Sequence, residues 1–70
     1  MKAAEIRDMA TEAIQARLND TREELMKLRF QQATGEITDT SRLRQIRHDI
    51  ARMLSVLRER EQEASLEGER

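Results

Sequence analysis

The residues of this chain best suited to chemistry are basic side chains that lie close together between positions 42 and 52. They are Arg42, Arg44, Arg47, His48 and Arg52. Asp49 is the only acid between positions 41 and 58. Arg44, His48 and Arg52 recur every four residues, so a helix would align them at about 6 Å intervals, the spacing of successive nucleic-acid phosphates. The segment therefore suggests polyanion binding, although spacing alone leaves a merely solvated charged face as an open alternative.

Catalytic and metal-binding chemistry find little support in the sequence. The chain has one histidine and no cysteine, which excludes disulfides and cysteine-based zinc sites. His48 has no carboxylate at helical spacing to orient it, so it is interpreted as a polar surface or RNA contact rather than a catalytic base or metal ligand. We predict no catalytic residue, metal, cofactor or small-molecule substrate. A small helical enzyme of the chorismate-mutase type, which holds a dianion among arginines, is the remote alternative.

The composition is typical of long helices. Charged residues make up 39% of the chain and aromatic residues 1%, with two glycines and no proline. Phe30 is the single aromatic residue, so stacking of bases on aromatic rings is not expected. No segment approaches the ~20 apolar residues of a membrane span or contains the apolar core of a signal peptide. We therefore expect a cytoplasmic protein with no membrane partner.

The spacing of apolar residues predicts three helices, at about 2–8, 12–34 and 40–61. Residues 1–63 would form a single all-α domain, with a short N-terminal helix followed by a long antiparallel two-helix hairpin. Gly35 lies at the one strong break and suits the left-handed position just past a helix end. Thr38, Asp39 or Thr40 would cap the next helix. The acidic residues 64–70 are predicted to form a frayed or disordered tail.

The predicted hairpin core consists of one apolar stripe on each long helix. Its residues are Ile14, Leu18, Leu25 and Leu28 on the second helix, and Leu43, Ile46, Ile50, Met53 and Leu57 on the third. Leu54 falls within the same stripe on a helical wheel, and Ile6 and Met9 are expected to lie across the open end. This spacing would also permit a homodimeric coiled-coil adaptor, an alternative that the interruption at Gly35 disfavours.

Three segments resemble one known family. The segment LRQIRHDIAR, residues 43–52, resembles the signature of the bacterial-type large-ribosomal-subunit protein family twenty-nine. The start MKAAEIR resembles the start of that family, and LRFQ followed by ATG, within residues 28–35, resembles its helix end and turn. The segments occur in order and without gaps from residue 1 to about 58. The resemblance therefore covers most of the chain.

The resemblance implies a non-enzymatic structural constituent of the large ribosomal subunit that supports translation. It implies binding to ribosomal RNA beside the polypeptide exit tunnel, with the large-subunit protein twenty-three as a neighbour and nascent-chain factors nearby. The RNA-binding positions that follow are Lys2, Arg29, Arg42, Arg44, Arg47, His48 and Arg52. Two departures from the family pattern are Ala10, where a serine or threonine usually caps the second helix, and Asp39, where a neutral or basic residue is usual.

Overall fold

The computed structural model describes residues 1–36 and 39–68. Three α-helices occur in them, namely α1 (Ala3–Arg7), α2 (Thr11–Ala33) and α3 (Thr40–Gly68). Helices α2 and α3 pack together as a hairpin, and α1 packs on α3. Within the described ranges there is no strand, so the all-α prediction is confirmed.

Gly35 ends α2 in the predicted way. Its φ of +87° is the left-handed conformation that favours glycine. The amide of Gly35 donates to the carbonyl of Gln32 at 3.2 Å, and that of Glu36 donates to the carbonyl of Gln31 at 3.0 Å. These two bonds satisfy the last carbonyls of the helix in the pattern of a Schellman motif.

Asp39 begins α3. Its carboxylate accepts hydrogen bonds from the amides of Ser41 at 2.9 Å and Arg42 at 3.4 Å, so it is the N-cap residue. Ile37 and Thr38 lie outside the described residues, and the capping role considered for Thr38 lies there with them. Ala10 occupies the N-cap position of α2, where no side-chain hydrogen bond caps the helix.

Every predicted core residue of the hairpin is at least half-buried. Ile14, Leu18, Leu43, Ile46 and Met53 are buried, and Leu25, Leu28, Ile50 and Leu57 are half-buried. The core is completed by Ile6, which is fully buried and packs with Ile14, Leu18 and Met53. Ile6 therefore lies over the open end of the hairpin, as expected.

Val56 and Leu54 correct the predicted limits of the stripe on α3. Val56 is 3% exposed, whereas Leu54 is 39% exposed. Helix α1 packs on the side of the hairpin where Val56 lies, and Val56 belongs to the same apolar cluster as Ile6. Because no corresponding helix covers the opposite side among the described residues, Leu54 stays exposed.

Two sets of polar contacts hold α1 on α3. The guanidinium of Arg60 donates to the carbonyls of Arg7 at 3.0 Å and Met9 at 2.8 Å, and to the hydroxyl of Thr11 at 3.0 Å. At the other end of α1, the Met1 ammonium donates to the carboxylate of Asp49 at 2.8 Å. Asp49 is only 8% exposed, so this carboxylate is buried, and its charge partner Met1 is half-buried.

Helix α3 continues to Gly68, which corrects the expected end near residue 61. Most residues beyond 61 are glutamine, glutamate, alanine or leucine, which are good helix formers, and Gly68 is the least favourable residue of the segment. All residues from 61 to 68 are exposed. Since this segment is helical through Gly68, the tail predicted for 64–70 is an extension of α3 as far as the described residues reach. Glu69 and Arg70 lie outside them.

Candidate nucleic-acid interface

A basic groove of about 520 Å³ lies between α2 and α3, near the turn of the hairpin. Its lining residues are Gln32, Thr40, Leu43, Arg44, Arg47, His48 and Ala51. Leu43 is 7% exposed and supplies buried apolar surface, whereas the other six side chains are exposed. The groove therefore brings together three of the predicted RNA-binding residues, Arg44, Arg47 and His48. Gln32 and Thr40 were missed because neither carries a charge that would have singled it out.

Helical spacing explains why these residues meet. Thr40, Arg44, Arg47 and Ala51 are separated by four, three and four residues, which places them along one face of α3. The sequence prediction instead aligned Arg44 and His48 with Arg52. The structure groups Arg44 and His48 with Arg47, and Arg52 does not line the groove.

The same spacing extends the positive charge beyond the groove. On α2, Arg29 precedes Gln32 by three residues and Arg22 precedes Arg29 by seven, so both project toward the groove side. On α3, Arg58 follows Ala51 by seven residues and projects from the same side. We call this surface the basic side, and it comprises Arg22, Arg29, Arg44, Arg47, His48 and Arg58. Arg22 and Arg58 were not among the predicted residues, and their spacing from Arg29 and Ala51 is the signal that identifies them.

The opposite surface, on which α1 packs, is called the α1 side. It contains a recess of about 470 Å³. The recess is lined by Met1, Glu5, Arg17, Asp20, Thr21, Glu24, Arg42, Gln45 and Asp49. Four of these nine residues are acids, so the two sides of the hairpin differ sharply in charge.

Two predicted RNA-binding residues are held by contacts within the chain on the α1 side. Arg42 donates to one carboxylate oxygen of Glu24 through Nε at 3.0 Å and through a terminal nitrogen at 2.7 Å. Arg52 donates to the carbonyl of Met1. Lys2 is exposed and lies just before α1. The seven predicted residues therefore do not form one surface.

Within α2, and within α3 as far as Arg58, the basic side also lacks opposing charge. Asp20, Glu24 and Asp49 line the α1 recess, and helical spacing places Glu12 and Glu23 on the outer face of α2. From Thr11 to Ala33 and from Thr40 to Arg58, no acid projects from the basic side. A concentration of guanidinium groups without carboxylates favours contact with a polyanion, because each arginine can hold a phosphate through two hydrogen bonds.

Other kinds of site receive no support from the part of the chain that the structure describes. There, no three or more histidine, cysteine or acidic side chains are arranged to hold a metal ion. None of the described helices is long and apolar enough to cross a membrane.

The fold and the basic side define a small helical hairpin whose basic residues are concentrated on one face. Residues 4–60 match the family model described as "Ribosomal L29 protein", and the chain belongs to that family. It is 54% identical over 61 residues to the large ribosomal subunit protein uL29 of Natranaerobius thermophilus, covering 87% of this chain and 94% of that protein. It is 52% identical over 61 residues to uL29 of Geobacillus stearothermophilus, covering 87% and 92%. It is 51% identical over 65 residues to uL29 of Staphylococcus aureus, covering 93% and 94%.

Proposed function

We propose that this protein is a structural constituent of the large ribosomal subunit that binds ribosomal RNA through the basic side. The names of its relatives support a role in the large subunit. The resemblance of residues 1 to about 58 to the family further suggests a position beside the polypeptide exit tunnel. The protein has no catalytic part in this proposal, since it acts by holding RNA in place.

The observation that carries the proposal is the separation of charge between the two sides of the hairpin. A protein that contacts RNA mainly through phosphates needs positive charge on one continuous surface, without carboxylates that repel the backbone. The basic side meets this requirement because six basic residues project from it. The net charge of −1 for the whole chain conceals this, since the acids lie on other surfaces and in residues 59–70.

Salt dependence tests the assignment of this surface. We expect the double variant Arg44→Gln with Arg47→Gln to bind large-subunit ribosomal RNA more weakly. Each lost phosphate contact should reduce the slope of log K against log salt by about 0.7–0.9. The matched control is Arg17→Gln with Lys27→Gln, which removes the same charge from the α1 side and the outer face. Equal slopes for the two double variants would contradict the proposal, and circular dichroism should show equal helix content.

Sedimentation tests whether the protein is a constituent of the large ribosomal subunit. We expect the tagged protein to sediment with large subunits in moderate salt, because several phosphate contacts act together. If the tagged protein stayed entirely at the top of the gradient, the ribosomal role itself would be contradicted. The homodimeric adaptor would instead form a stable dimer without RNA, and its seam is already used, since Ile14, Leu18 and Met53 are buried within a single chain.

A protein neighbour completes the proposal. The resemblance implies the large-subunit protein twenty-three, with nascent-chain factors nearby. Met26 and Phe30 are 73% and 70% exposed and lie four residues apart, so they form an apolar strip on the outer face of α2. A photo-crosslinker at position 30 should join this protein to protein twenty-three in intact subunits. Crosslinks to RNA alone would contradict this contact.

A further inference from the structure

We propose that the basic groove receives a single unpaired nucleotide of ribosomal RNA, and that Gln32 contacts the edge of its base. The inference rests on the proposed function, because it names the kind of RNA structure that the basic side recognises. It adds a pocket and a specificity residue to a surface that would otherwise only attract phosphates.

The shape of the groove favours a nucleotide that projects from the RNA over a regular RNA helix. Its volume of about 520 Å³ lies within the range of roughly 300–1,000 Å³ that is usual for small-molecule sites, and it is an open groove in which six of the seven lining side chains are exposed. A regular RNA helix is a rod that proteins contact across its shallow groove and its phosphates, and such a rod needs no recess in its partner. A recess among arginines is instead suited to a group that projects from the RNA, and unpaired nucleotides are the groups that can be splayed outward.

The lining of the groove offers different chemistry to each part of a nucleotide. Ala51 and the small exposed part of Leu43 supply apolar surface against which a base can lie. Arg44 and Arg47 carry planar guanidinium groups that can stack on a base or hold its phosphate. Phe30, the single aromatic residue of the chain, does not line the groove. Stacking here is therefore assigned to the guanidinium planes and to the imidazole ring of His48, which also lines the groove.

Gln32 has the chemistry and the position to contact the edge of a base. It is the only groove residue contributed by α2, and its amide carries both donors and an acceptor, as base edges do. Its backbone is fixed by the turn, because its carbonyl accepts the amide of Gly35. A side chain that is uncharged, exposed and held at a fixed point is suited to reading a base edge and adds nothing to phosphate attraction.

The test uses large-subunit particles reconstituted without this protein and then supplemented with wild-type protein, Gln32→Ala or Gln31→Ala. Gln31 is the matched control, because it is the same residue type in the same helical turn but does not line the groove. Incorporation is measured first by sedimentation. The RNA is then probed with reagents that modify the Watson–Crick edges of unpaired bases, dimethyl sulfate for adenine and cytosine with the corresponding reagents for guanine and uracil.

We expect wild-type protein and Gln31→Ala to protect the edge of one unpaired base, and Gln32→Ala to enter the particles but lose that protection. If Gln32→Ala protected the same base as well as wild type, or if no unpaired base were protected by any of the three proteins, the inference would be overturned while ribosomal binding stood. If wild-type protein failed to enter the particles, the proposed function would fail, and this inference with it.

Discussion

Replacing Ile6 by alanine should show how much of the stability depends on the short helix α1. Ile6 is fully buried among Ile14, Leu18, Met53 and Val56. Removing a buried isoleucine side chain costs about 2–5 kcal/mol, because apolar burial is lost and a cavity remains. Domains have roughly 0.05–0.15 kcal/mol of stability per residue, or about 3.5–10 kcal/mol for a chain of this length. The substitution should therefore remove a large part of the free energy of unfolding.

The loss also has an upper limit that the structure explains. A helix of five residues does not form by itself in water, so α1 is helical only while it is docked. Once Ile6→Ala has undocked α1, no further stability can be lost through this helix. We therefore expect a loss of about 2–4 kcal/mol, and a melting temperature lower by at least about 8 °C at roughly 4–8 °C per kcal/mol.

Urea denaturation followed by far-UV circular dichroism measures this loss. Leu66→Ala is the control, since Leu66 is 61% exposed and its replacement should change the free energy of unfolding by less than about 0.5 kcal/mol. Amide hydrogen exchange should show that α1 loses protection before α2 and α3. A cost below about 0.5 kcal/mol for Ile6→Ala would refute the reasoning, because α1 would then not be packed on the hairpin in solution.

Substitutions at three further positions test the turn, the cap and the arginine that holds the α1–α2 junction. Gly35→Ala should lower the free energy of unfolding by about 1–2 kcal/mol in urea denaturation, because the φ of Gly35 is +87°. The control Gly68→Ala should leave that free energy unchanged or raise it slightly. Asp39→Ala should lower the free energy of unfolding by about 0.5–2 kcal/mol, measured by urea denaturation, because the cap is lost. Asp39→Asn should keep that free energy and raise RNA affinity in filter binding, because it removes a negative charge beside the groove. Arg60→Gln should accelerate amide hydrogen exchange in α1, because Arg60 contacts α1 and Thr11. It should not weaken RNA binding, since Arg60 lies off the basic side. Unchanged exchange would contradict a role for Arg60 in holding α1.

Local patterns were sufficient to predict most of the fold. The stripes that include Ile14 and Ile46 follow from helical spacing, and the left-handed residue at Gly35 follows from the steric freedom of glycine. Val56 could not be preferred over Leu54 in the same way. Both lie near the edges of the stripe, and the choice depends on the side of the hairpin on which α1 packs. The packing of α1 is a tertiary contact, which the local spacing of apolar residues does not reveal.

The candidate interface was predicted less completely, for a related reason. Arg44, Arg47 and His48 are neighbours within α3, so the sequence identified them together as candidates. Arg42 was chosen by the same reasoning, yet its guanidinium is held by Glu24, 18 residues earlier in the chain. Arg52 contacts Met1, 51 residues away. Such distant partners are not visible in local spacing, and RNA contact by each of these residues stays a prediction.

The position of α1 therefore determines both the core and the available charge. By packing on one side of the hairpin, α1 buries Val56, places the Met1 backbone against Arg52 and Asp49, and leaves the other side uncovered. Undocking α1 would free the guanidinium of Arg52 from the carbonyl of Met1 and would also expose the carboxylate of Asp49. Any gain in positive charge would then be offset by a newly exposed acid on the same helix. For this reason we expect RNA affinity to depend on the basic side itself, and stability to depend on α1.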